Sequence, residues 1–165
     1  MRVIKDNKVI EDSWLQVLDA TSVEKLAEED VIVALAFWKD HRTDLLEREG
    51  QLGICVGVDD DVEDIVKDLE HFNLIAIEFP QFKDGRGYSS ARILREHYNY
   101  EGDIRAIGDV LRDQLFFMQR CGISSFQLHE DRDMDAALSG FFDFSINYQT
   151  AADGAPPIYK LRYRA

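Results

Sequence analysis

The residues best suited to chemistry lie in the middle third of the chain. Asp84-Gly85-Arg86-Gly87-Tyr88-Ser89-Ser90-Ala91-Arg92 joins two glycines to two arginines. Gly85 and Gly87 would let the backbone bend closely around a ligand. Ser89 or Ser90 would cap a following helix, whose free N–H groups attract anions. Arg86 and Arg92, with Arg112 from the next helix, would then form a fork for phosphate, sulfate, sulfite or a carboxylate. The competing reading is a tight turn in which Asp84 or Asp109 neutralises Arg86. No Walker or dinucleotide fingerprint is present, and a lone Gly-x-Gly is a weak signal.

Carboxylates gather in the same region. Glu78, Asp109 and Glu130 end three successive strand-like runs, and oxygen ligands on neighbouring strands can converge on a hard cation. Polar residues end most strands, however, and the parity that would aim all three inward cannot be read from spacing; no metal is assigned. Asp84, Asp109 and Asp113, with Glu78, are acid–base or partner-contact candidates. His129, beside Glu130, is the one histidine of four placed for proton transfer. Cys55 and Cys121 belong to no CxxC or Cys/His cluster, which leaves zinc, iron–sulfur and disulfide frameworks unsupported. Cys121 also falls near a helix C-terminus, where the dipole raises a thiol pKa. Asp59-Asp60-Asp61 suits a helix N-terminus without calcium, because the ligand spacing of a calcium loop is absent.

These residues need strands and helices to position them. Val31–Trp38 is a continuous apolar run, the mark of a strand buried on both faces. Leu52–Val58, Leu74–Pro80, Asp103–Val110, Ser124–Glu130 and Ser145–Thr150 read as further strands. Helices are expected from Thr21 to Asp30, after Arg42 to Gly50, after Asp61, from Ser89, from Leu111 and from Arg132 to Phe144. In the helix from Leu111, Leu115 and Met118 form a core stripe with Phe116 and Phe117 beside it. Alternation at intervals of roughly 20–30 residues is the βαβ signature of a parallel sheet. The fold class is therefore α/β, either an open parallel sheet or a partial (βα) barrel, since a complete barrel needs about 250 residues. Ahead of it, Val3-Ile4 and Val9-Ile10 flank Asp6-Asn7, the pattern of a β-hairpin. The 165 residues suit a single domain, with residues 1–20 as a hairpin arm and 151–165 as a basic, aromatic tail.

Charge narrows the partners. Thirty-two acidic residues against 19 basic ones give a net charge of −13, which disfavours nucleic acid and anionic membranes. No apolar run reaches the roughly 20 residues of a membrane helix, and the start lacks a signal-peptide core, so a cytoplasmic location is expected.

The blocks Phe79–Ser89, Ala91-Arg92, Leu94-Arg95, Arg105–Leu115 and Arg120-Cys121-Gly122 resemble the bacterial domain-of-unknown-function family 934, and the likeness extends to the opening hairpin and Trp14. Members of that family are encoded beside the haem enzyme of assimilatory sulfite reduction and the reductase for activated sulfate. They are labelled oxidoreductases of sulfite reduction on that neighbourhood, without assigned catalytic residues. The resemblance implies an accessory or electron-delivery role with sulfite reductase as partner. No flavin, haem or iron–sulfur signature stands in the sequence, and no cofactor is assigned. A small-molecule enzyme or sensor that binds an oxyanion at Gly85–Arg92 is the first alternative. A subunit that assembles with itself through exposed strand edges is the second.

Overall fold

The computed structural model describes all residues except 20–22, 24, 25, 27, 130 and 162–165. The hairpin forms where expected: β1 (Arg2–Lys5) pairs antiparallel with β2 (Lys8–Glu11). Asp6 and Asn7 both take positive φ at the turn, the pairing a tight hairpin demands. The parallel strands are β3 (Leu15–Val17), β4 (Val31–Ala34), β5 (Leu52–Val56), β6 (Leu74–Phe79), β7 (Asp103–Gly108) and β8 (Ser125–Phe126). With the two hairpin strands these six form one eight-stranded sheet in the order β2-β1-β8-β7-β6-β5-β4-β3, β1 lying antiparallel to β8. The sheet curls into a half-barrel. Gln16 on β3 reaches across to hydrogen-bond Gln127, just past β8.

Helices cover the convex face. They are α1 (Leu35–Glu47), a 3-10 helix (Val62–His71), α2 (Arg86–Arg92) with its π-turn extension (Ile93–His97), and α3 (Leu115–Arg120). Short α4 (Met134–Ala137), the 3-10 turn Leu138–Phe142 and α5 (Ile158–Leu161) follow. Alternate strand residues Val31, Val33, Ile54, Ile75, Ile77, Ile104 and Ala106 pack with Trp38, Ile65, Leu94, Leu115 and Met118 in the main core. The residues between them, Ile32, Cys55, Leu74, Ala76 and Ile107, form a second cluster closed by Trp14. This period-two division places each strand's side chains on opposite faces.

Several boundaries move. The apolar run from Val31 is a strand only to Ala34; Leu35–Trp38 is the first turn of α1, burying Leu35, Phe37 and Trp38. α2 begins at Arg86, not Ser89, because the Asp84 carboxylate accepts the Arg86 backbone N–H at 3.1 Å. Ser90 instead donates from within the helix to the Arg86 carbonyl. Gln114 caps the turn after β7 by accepting the Leu111 N–H at 3.0 Å. No strand forms over Ser145–Thr150. Most of the helix expected over Thr21–Asp30 lies outside the described residues.

Trp38 shows how the convex layer is fixed. Its ring is buried and stacks edge-on with Phe72 at 4.9 Å, while its indole N–H donates to Asp68 at 3.2 Å. Arg42 donates twice to the same carboxylate and holds its pKa below the ordinary range; burial opposes this and the Trp38 hydrogen bond adds to it. A carboxyl depressed in the folded state stabilises the fold above its unfolded pKa of about 3.9, and that contribution is lost as pH falls through the folded value. Asp68→Asn should therefore flatten the acid limb: below about pH 4 the wild type loses melting temperature more steeply than the variant. Asp68→Ala, which leaves the buried indole N–H unpaired, should cost about 1–3 kcal/mol at neutral pH by urea denaturation.

Candidate functional site

At the C-terminal ends of β5 and β6, where parallel α/β folds gather ligands, the structure opens a cleft of about 430 Å³. Val56, Ile77, Val62 and Ile93 give it apolar walls, and Asp59, Asp60, Asp61, Glu78, Asp84 and Arg86 supply charge. Several of the carboxylates have a local reason for their position. Asp61 caps the 3-10 helix by accepting the Glu63 N–H at 3.0 Å, and Asp60 accepts the Gly57 N–H at 2.8 Å. Glu78 is exposed at the strand end, on the same parity as Leu74 and Ala76, so it belongs to the rim of the inner face. Cys55, on the same face of β5, is buried, and burial, with the charges of Glu78 and Asp60 adding, pushes its thiol up to about 12.

Arg86 is held by this acidic wall. Its Nε and Nη2 donate to Asp84 at 3.1 and 2.7 Å, and Asp59 stands 3.5 Å from Nη1. The guanidinium holds the Asp84 carboxyl below its usual range. Arg92 lies six positions further along the helix, which at about 3.6 residues per turn faces elsewhere. It pairs with Glu96 at 2.8 Å, beside Ser89 in a second depression. Arg112 is in a third depression with Asp113, near the ends of β7 and β8, and forms a two-pronged pair with Asp143 at 3.1 and 2.7 Å. The three arginines thus face three different depressions, each with its own acidic partner. Asp109 is exposed at the end of β7, and His129 bonds Asp131 at 2.8 Å. Glu130 lies outside the described residues. Among the described residues, no group of three His, Cys, Asp or Glu side chains is arranged to hold a metal ion.

The glycines of the loop have different tasks. Gly85 has open space around it. Gly87 is buried, and a Cβ there would stand 2.7 Å from the Phe79 ring and 3.1 Å from Ile77. It lets α2 lie directly on β6. Gly87→Ala should therefore lower stability by about 1–3 kcal/mol through overpacking, while Gly85→Ala should change it by less than about 0.5 kcal/mol. Thermal melts of the two variants make the comparison.

The sequence pattern did not identify the most deeply buried charges. Arg105, in the middle of β7, forms two hydrogen bonds to Asp12 at 2.7 and 2.8 Å, with the two side chains 2% and 5% exposed. Its Nε donates to Ser125, whose hydroxyl donates to Asp103, which in turn pairs with Lys5 at 3.1 Å. An arginine inside an apolar strand signals a hidden partner, but nothing local points to Asp12. Arg95 is a second clamp: it donates to the carbonyls of Gly122, Tyr100 and Gly102 and tethers the loops at the opposite end of the sheet.

No described helix is long and apolar enough to cross a membrane. No curated protein matches the chain. The family model described as a bacterial protein of unknown function, DUF934, matches residues 53–159. That span runs from β5 into α5 and contains the acidic cleft, the Gly85–Arg92 loop and Arg112. The chain belongs to the DUF934 family.

Proposed function

We propose that this protein is an accessory or electron-delivery partner of assimilatory sulfite reduction and acts by binding the sulfite reductase. The gene neighbourhood implied by the family resemblance supplies the pathway. The observation that carries the mode of action is the state of its arginines: Arg86, Arg92 and Arg112 already face Asp84, Glu96 and Asp143. What the surface offers a partner is negative charge, with Asp59, Asp60, Asp61, Glu78 and Asp84 grouped on one rim and a net charge of −13. Acidic faces steer docking to basic ones and do so less well in salt. Purified protein should bind the haem-bearing sulfite reductase at low ionic strength and lose roughly tenfold in affinity between about 50 and 300 mM NaCl. A deletion strain should grow on cysteine and fail on sulfate and sulfite. Normal growth on sulfite would end this reading.

A second reading is favoured by the place of the cleft, at the strand ends where small ligands bind. An oxyanion there would need Arg86 to leave Asp84. Asp84→Asn should then raise sulfite or sulfate affinity at least about threefold by calorimetry, whereas no heat from either form removes the reading. Self-assembly, the third reading, draws on the open edges of β2 and β3; a monomer in sedimentation experiments excludes it.

A further inference from the structure

The segment Lys160-Leu161-Arg162-Tyr163-Arg164 runs against the character of the rest of the chain. It alternates cationic with apolar side chains, and residues 154–165 hold no aspartate or glutamate, in a protein of net charge −13. Arg162, Tyr163 and Arg164 lie outside the described residues. Tyr159 and Leu161, on α5, are 55% and 43% exposed. Lys160 between them is exposed too, and forms no ion pair among the described residues. α5 is anchored away from the acidic cleft. Its Ile158 N–H donates to the Asn147 carbonyl at 2.8 Å, on the stretch that Arg112 and Arg120 hold through Asp143 and Gln149. None of the four α5 residues lines the cleft.

The cleft at the ends of β5 and β6 has the complementary make-up. Asp59 and Asp84 face Arg86, but Asp60, Asp61 and Glu78 form no ion pair among the described residues. Asp60 and Asp61 accept only backbone N–H groups, from Gly57 and Glu63, and Glu78 is exposed at the strand end. Three uncompensated carboxylates thus stand over the apolar walls of a space of about 430 Å³. That combination suits side chains with an aliphatic stem and a cationic head. An extended segment with alternating character turns its cations to one side and its apolar residues to the other. Lys160, Arg162 and Arg164 would then meet the carboxylates while Leu161 and Tyr163 lie toward Val62 and Ile93. Because α5 stands off the cleft of its own copy, the segment that fits is a second copy's. Reciprocal exchange closes a two-fold dimer.

We propose that the Lys160–Arg164 segment of one copy seats in the acidic cleft of a second copy. This rests on the self-assembly reading and gives it a contact other than the strand edges. The test is sedimentation velocity of the full chain at about 150 mM NaCl, where only close charges still attract. Wild type is compared with Lys160→Glu/Arg162→Glu/Arg164→Glu and with Asp59→Lys/Glu78→Lys, whose two positions are exposed and cap no backbone group. All three proteins should melt within a few degrees of one another. Wild type should sediment as a dimer, and each variant should dimerise at least about 100-fold more weakly. An equimolar mixture of the two variants should recover a dimer with one copy of each, because acidic segment then meets basic cleft and basic segment meets acidic cleft. A wild-type monomer overturns the inference and the self-assembly reading together. A dimer that survives reversal of the segment overturns the inference alone and leaves assembly to the strand edges. A mixture that stays monomeric overturns the pairing of segment with cleft. The sulfite reductase reading does not depend on any of these results.

Discussion

Arg105→Ala should cost about 3–5 kcal/mol of folding stability, a large share of the margin available to a domain of this size. The reason is what remains behind: Asp12, 5% exposed, would be left without its hydrogen-bonding counter-ion on the inner face of the half-barrel. Asp12→Ala should be comparably harmful, because it strands the guanidinium. The pair need not be stabilising compared with a dry core. Asp12→Leu combined with Arg105→Met should recover most of the loss, since replacing both charges by apolar residues removes the desolvation penalty along with the attraction. Urea denaturation of the two single variants and the double variant gives the coupling directly. A loss under about 1 kcal/mol in both single variants would show that water reaches the pair.

The second large effect belongs to Gly108. It ends β7 with φ +91, and a Cβ there would stand 2.5 Å from the Phe79 carbonyl oxygen. Gly108→Ala therefore suffers twice, from the left-handed conformation and from backbone overlap, and should lose about 2–4 kcal/mol. Gly154 is an internal control: its φ is +66, but a Cβ added there would meet nothing within 4 Å. Gly154→Ala should lose only the conformational part, about 1 kcal/mol. Thermal melts of both variants isolate the overlap with Phe79 as the difference between them. That overlap matters to the site, because the peptide after Gly108 turns so that the Asp109 N–H donates to the Phe79 carbonyl at 2.7 Å. This bond laces the ends of β6 and β7 and sets the height of the rim.

Much of the α/β framework could be read from pattern. Apolar runs bounded by charge located β4 to β7, and the Asp6-Asn7 turn located the hairpin, because local chemistry governs both. Boundaries failed where one apolar run served two elements. Val31–Trp38 is uniformly hydrophobic because β4 is buried and the first turn of α1 is largely buried too, so composition carries no mark at Ala34. At α2 the preference for serine caps points to Ser89, whereas the Asp84 side chain has already turned the chain three residues earlier. Tertiary pairing decided what pattern could not. Ser145–Thr150 has strand periodicity but joins no sheet edge, and Phe117, expected in the core beside Met118, is 56% exposed.

The site was legible in part for the same reason. Glu78, Asp84, Arg86, Gly87 and Ser89 do line one cleft, since a single βα connection brings them together. Arg92 and Arg112 do not join them, because helix phase and a separate crossover carry each to another depression. The acidic run Asp59–Asp61 shows only helix-start chemistry in its own neighbourhood of the chain. Its place opposite Arg86 depends on β5 and β6 lying side by side, a fact of topology rather than of spacing.

The burial of Cys55 and Cys121 has a practical consequence. Both thiols are shielded and shifted away from the reactive anion. In the native protein a maleimide should leave them unlabelled, so a cysteine introduced as Tyr148→Cys or Phe82→Cys would carry a dye or spin label alone. Distances from either point to a docked protein could then be measured on a chain whose own sulfur atoms stay silent.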